Sequence, residues 1–124
     1  MKSLCKSDKL RCKTEFDQVR RDGTKYVGRG MLVVVAPAPD DLRRCGVICG
    51  KKYSLLAVDR NRARRLLWES FRLLKPEIAT CRLVLIPRRT MMKWKRAQVT
   101  RDLAAMLLQA GLIPQEVADS PPEC

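Results

Sequence analysis

The chain has 124 residues, 46% of them hydrophobic, and carries 26 Lys plus Arg against 13 Asp plus Glu, a formal net charge of +13 with no histidine. That length suits one hydrophobic core, with roughly two thirds of the unfolded surface buried on folding, and the missing histidine removes the commonest general base and metal ligand. The charge excess repels itself, so it points to a polyanionic partner, nucleic acid ahead of an acidic membrane surface.

In chain order, residues 1–13 hold Lys2, Lys6, Lys9, Arg11 and Lys13 against Asp8 and read as a basic arm that orders on contact. The segment MKSLCKSDKLRCK lacks the apolar block and small-residue cleavage site of a signal peptide. The longest apolar run, Met31 to Ala36, is six residues, far short of the roughly 20 that span a bilayer. A cytoplasmic protein with no membrane partner is expected.

Thr14-Glu15-Phe16-Asp17 is close to a capping box, predicting a short helix over 15–21 with Thr14 as N-cap and Gly23 as its stop. MLVVVA at 31–36 is a continuous β-branched run that suits a strand buried on both faces. Pro37 to Asp41 breaks it. RCGVICG predicts a second strand over 44–50, running into Lys51-Lys52.

Ala57 to Lys75, AVDRNRARRLLWESFRLLK, predicts a helix with two stripes. At about 100° per residue, Ala63, Leu66, Leu67, Ser70, Phe71, Leu73 and Leu74 gather on one side. Asn61, Arg62, Arg64, Arg65, Glu69 and Arg72 gather on the other. Asp59 is the expected N-cap, and Pro76 follows where the helix stops. CRLVLI at 81–86 predicts a third strand ended by Pro87. A third helix is predicted over 96–109, with Val99, Leu103, Met106, Leu107 and Ala110 at helical spacing and Gly111 as its stop. From Arg82 to Arg101 there are seven basic residues and no acid. The tail 114–124, rich in proline and acid, is expected to be disordered. Residues 1–113 thus read as a single RNA-binding domain, a small α+β sandwich with a sheet packed against helices.

Side-chain catalysis needs a nucleophile, base or metal cluster within reach, and little here supplies one. Cys5, Cys12, Cys45, Cys49, Cys81 and Cys124 form no C-x-x-C pair and read as buried free thiols rather than a zinc set. Asp17 and Asp59 are accounted for as cap residues, and Asp40 and Asp41 as a solvated turn. Phosphate binding is better supplied. An arginine fork matches phosphate oxygens, and several on consecutive turns can follow a run of phosphates. Arg60, Arg62, Arg64, Arg65 and Arg72, with Asn61 beside them and Lys51 and Lys52 upstream, are the candidate RNA contacts. Trp68 falls among these cations, where its indole can stack on an unpaired base or pack beneath a neighbouring loop. Trp94, within MKWKR, has the same two readings.

The order GVICGKK then AVDRNRARRLLWESFR, preceded by KLRCKTEFDQVRRDGTKY, resembles the bacterial ribonuclease P protein component. The matching positions are Gly46, Lys51, Lys52, Ala57, Val58, Arg60, Asn61, Arg62, Arg64, Arg65, Phe71 and Arg72, with Phe16, Val19 and Gly23 in the N-terminal pattern. The resemblance spans about Asp8 to Ile113. It implies a two-layer α/β sandwich with a left-handed βαβ crossover containing the RNR helix. It also implies the role of protein subunit in the endoribonuclease that removes 5′ leaders from precursor tRNA. The partners would be the catalytic RNA and the precursor, and the chemistry would lie in the RNA with its Mg²⁺, with no metal held by a protein motif and no catalytic protein residue. Phe16 and Arg20 would face the leader, Arg20 standing where the family commonly has a second aromatic. Trp68 replaces a commonly basic residue, and the loop YSLL is one residue longer than usual. The competing reading is a ribosomal-protein-like structural RNA binder, which shares the charge but does not predict a Lys pair followed by RNR. A self-sufficient nuclease is disfavoured by the absent histidine.

Overall fold

A computed structural model describes residues 9–10, 13–38 and 43–114. Along it run helix α1 (Lys13–Asp22), strands β1 (Thr24–Val27), β2 (Met31–Ala36) and β3 (Arg43–Val47), helix α2 (Ala57–Leu74), strand β4 (Cys81–Pro87) and helix α3 (Arg96–Gln109). Short 3-10 segments occupy Lys75–Glu77 and Arg89–Lys93. Of the expected basic arm only Lys9, Leu10 and Lys13, and of the expected tail only Pro114, fall within the described residues.

The sheet order is β1-β2-β4-β3, antiparallel except for the parallel β3–β4 pair. Helix α2 is the crossover that such a parallel pair requires. Alternation along the strands divides the core in two. Val33, Cys45, Leu83 and Leu85 point to one face, where they meet Ala63, Leu67, Phe71 and Leu74 of α2 and Val99, Leu103 and Leu107 of α3. Val34, Ala36 and Val84 point to the other, where Val19 of α1 and Leu10 cover them. Each fully buried side chain of this size contributes about 1.5–3 kcal/mol, which explains why MLVVVA had to be apolar on both sides. The two larger helices are joined by a buried hydroxyl pair, Ser70 Oγ and Thr100 Oγ1, 3.0 Å apart.

The elements start and stop for local reasons. After α1, Gly23 donates its N–H to Val19 at 2.8 Å, and a Cβ there would lie 2.3 Å from that same carbonyl oxygen. Only glycine fits. At the end of α3, Gly111 takes φ +73°, and the N–H groups of Gly111 and Leu112 return to the carbonyls of Leu108 and Leu107, a Schellman closure.

Three expectations are corrected, and one strand is new. Helix α1 already includes Lys13 and runs to Asp22, so Thr14 lies within it rather than capping it. Strand β3 covers Arg43–Val47 instead of 44–50; Ile48 still donates to Leu85, but the chain then turns at Gly50. Leu56, not Asp59, is the N-cap of α2, with no side-chain cap. Strand β1 was not predicted: it is a four-residue edge strand, largely exposed, and takes its ladder bonds from β2 alone.

Candidate nucleic-acid interface

The site is built on the passage from β3 into α2. Tyr53 donates its N–H to the Gly50 carbonyl at 3.0 Å, and this turn leaves Lys51 and Lys52 exposed at its corner. Ser54 organises the rest of the loop. Its hydroxyl donates to Asp59 at 2.9 Å and accepts the N–H of Leu56 at 3.1 Å. Asp59 therefore braces the loop from the first turn of α2.

The arginines of the RNR stretch divide between two anchors. Arg60 Nη1 donates to the Ser54 carbonyl at 2.9 Å. Arg64 donates to the Cys49 carbonyl at 2.8 Å and to Asn61 Oδ1 at 3.1 Å. Both thus clasp the loop that carries the lysine pair. Arg62 reaches the other way, donating to the carbonyls of Met92 and Trp94 at 3.1 and 2.6 Å. Arg89 closes the circuit by donating from Nε to the Lys52 carbonyl at 3.1 Å. Each guanidinium has five N–H donors, so these bonds orient the fork and leave the remaining donors available. Asn61 and Arg65 are exposed, and Arg65 has no partner among the described residues. Arg72 is half-buried further along the helix.

Beneath this layer lie Cys49 and Tyr53, 6% and 5% exposed. Burial pushes the Cys49 thiol up, against the pull of Arg64 and Arg60. The Tyr53 hydroxyl is pushed up mainly by burial as well. Both stay neutral and serve as floor. Cys45, Cys49 and Cys81 are free and buried, as read from the sequence, while Cys5, Cys12 and Cys124 lie outside the described residues.

Trp68 is half-buried. Its ring meets Phe71 edge-on at 6.3 Å and 79°, and Lys9 Nζ sits 5.0 Å from its centroid. Lys9 also forms a parallel bridge to Cys45, and Leu10 donates to the Cys45 carbonyl at 3.0 Å. The indole thus packs between Phe71 and Lys9 and keeps part of its ring uncovered.

Across the sheet, Phe16 and Arg20 stand one turn apart on α1. The Phe16 ring lies against Gly46, where an added Cβ would approach it to 2.4 Å. Ile48 and Ile86 continue this apolar floor, and Arg20 is exposed at its rim. Arg44 and Arg82, neighbours in register, are held by Glu15 of α1 at 3.0 and 3.7 Å. Both are only partly exposed, and the shared carboxylate ties them to α1.

The basic run after β4 serves backbone carbonyls. Arg88 donates to the Gly28 carbonyl at 2.9 Å, Arg89 supports the lysine turn, and the Trp94 backbone receives Arg62. Only the excess of cations was a signal; the carbonyls they serve are distant in sequence. Among the described residues, no three His, Cys, Asp or Glu side chains form a metal-holding group, and no helix is long and apolar enough to cross a membrane.

The sequence and the fold both have counterparts among known proteins. The sequence profile of the Ribonuclease P family matches residues 4–111. The chain is 34% identical over 110 residues to the ribonuclease P protein component of Chloroflexus aggregans, covering 87% of this chain and 81% of that one. It is 34% identical over 115 residues to that of Roseiflexus castenholzii, covering 91% and 93%. Its fold matches the RNase P protein of Staphylococcus aureus with a TM-score of 0.79 at 23% identity, over 88% of this chain and 100% of that one. The RNase P protein of Thermotoga maritima matches with a TM-score of 0.73 at 24% identity, over 82% and 96%. By the extent of the profile match and the level of identity, the chain belongs to the ribonuclease P protein component family.

Proposed function

We propose that the Lys51–Arg65 surface docks the catalytic RNA of ribonuclease P, while the Phe16–Arg20 flank contacts the 5′ leader of precursor tRNA. Family membership makes the chain a subunit of this tRNA-maturing endoribonuclease, in preference to a ribosomal-protein-like binder. The observation that carries the docking assignment is the clasping of Arg60, Arg62 and Arg64 by backbone carbonyls. Held this way, the forks lose little freedom on meeting phosphate, and preorganised donors bind more tightly for that reason. Exposed Lys51, Lys52 and Arg65 add charge around them.

Hydrolysis belongs to the RNA and its Mg²⁺ in this reading, and the protein contributes charge screening and leader contact. Residues 1–113 act as one RNA-binding domain in the cytoplasm, with Lys9 beside Trp68 adding its charge to the interface. Reconstitution with a bacterial ribonuclease P RNA tests the proposal. Precursor tRNA cleavage at low Mg²⁺ should rise on adding the protein. Absence of any stimulation would reject the assignment, and cleavage by the protein alone would move the chemistry into the side chains.

A further inference from the structure

A second aromatic lies outside that docking surface, in a groove built from three distant segments. The turn between β1 and β2, Gly28 to Gly30, is pinned by Asp102 of α3, whose carboxylate accepts the N–H groups of Arg29 and Gly30 at 3.4 and 3.1 Å. Arg88 fixes the same turn, its side chain donating to Gly28 and its backbone N–H to Gly30, both at 2.9 Å. The Trp94 ring lies against Gly30 so closely that a Cβ would meet it at 2.5 Å. The Trp94 carbonyl is held by Arg62. Trp94 is thus held at its backbone and packed at its ring, and it is only half-buried.

Its uncovered part lines an open groove of about 330 Å³ with Arg29, Gln98, Arg101 and Asp102. Arg29 and Arg101 are exposed, and their guanidinium groups have no partner among the described residues. Two cations against one carboxylate already engaged with backbone N–H groups leave the groove positive. A fixed indole between free guanidinium forks is the arrangement that stacks a base and holds its phosphate. An acidic peptide would use the forks and leave the ring idle.

We propose that this groove binds one unpaired nucleotide of RNA, its base on Trp94 and its phosphate between Arg29 and Arg101. The inference extends the RNA-binding reading to a face that the RNR motif does not reach, with Arg62 as the physical link between the two.

In a Trp68→Phe protein, Trp94 is the sole indole, and its emission reports on the groove directly. A short single-stranded oligoribonucleotide should quench it, and the same sequence as a duplex should not. The double variant Arg29→Gln/Arg101→Gln, changed only at exposed side chains, should weaken that quenching by about tenfold. No quenching, equal quenching by duplex, or an unaltered double variant would overturn the proposal. These readouts need no ribonuclease P activity, so failure of the docking assignment leaves them interpretable. In the reconstituted holoenzyme, weaker binding of the same double variant to the catalytic RNA or to the precursor identifies which RNA supplies the nucleotide. Unchanged binding to both overturns the site in the holoenzyme.

Discussion

Arg62 Nη2 donates to the carbonyl oxygen of Trp94 at 2.6 Å, tying the RNR helix to the segment that follows β4. This bond makes Arg62 a structural residue first, unlike its neighbour Arg65. Arg62→Ala should therefore destabilise the protein by about 1.5–3 kcal/mol, the range for hydrogen bonds to a charged group. Arg65→Ala should stay within about 0.5 kcal/mol of wild type, as exposed substitutions do. Urea denaturation of the two variants separates these outcomes. Equal stabilities would show that the Arg62 bonds contribute nothing to the fold.

The approach of Phe16 to Gly46 leads to a second prediction. Gly46→Ala places a methyl group 2.4 Å from the ring, so the ring must leave the floor formed with Ile48 and Ile86. Affinity for leader-bearing precursor should fall, while affinity for leaderless tRNA is retained. Phe16→Ala should do the same, with a loss of roughly 1–3 kcal/mol if the ring stacks on a leader base. An equal loss on both substrates would mean that Phe16 acts through the core alone.

Cys81, at the start of β4, gives a prediction in pH. Burial pushes its thiol from 9.0 up to about 12, against a smaller downward pull from Arg43. Burial pushes Cys45 up as well, with Cys81 as the lesser cause. For an acid whose folded pKa is raised, the stabilisation is intact below the unfolded value and is lost as pH rises towards the folded one. Stability should therefore decline from about pH 9 towards pH 12. Cys81→Ala should make that decline shallower in thermal melts across the range. An unchanged pH slope would show that this thiol does not titrate on unfolding.

Elements whose periodicity serves a single surface were legible in the sequence. MLVVVA and the helix at 96–109 fall at their expected residues, because apolar spacing and a terminal glycine leave few alternatives. The Leu stripe of α2 is likewise the buried one, with Leu73 half-buried at its edge. Asp59 misled because an acid near a helix start suits both a cap and a first-turn brace, and the choice lay with Ser54, five residues earlier. Strand β1 escaped because an exposed edge strand has no apolar face to signal it.

The cations of the site were legible as a set, but their division of labour was not. Arg60, Arg62 and Arg64 look alike in a helical projection. The carbonyls at Ser54, Cys49 and Trp94 that distinguish them depend on how two loops return to the helix. Trp68 was ambiguous for the same reason, since its partners Phe71 and Lys9 come from the core and from an arm nearly sixty residues upstream.

The proposed contact between the arginine face of α2 and RNA phosphates is read out by the salt dependence of binding. The logarithm of affinity for ribonuclease P RNA should fall linearly with the logarithm of salt concentration, since each neutralised phosphate releases counterions. In Arg60→Ala/Arg64→Ala/Arg65→Ala the slope should be shallower by roughly 0.7 to 0.9 for each phosphate that is no longer neutralised. A variant that binds with the wild-type slope and affinity would contradict the claim and leave this face merely solvated.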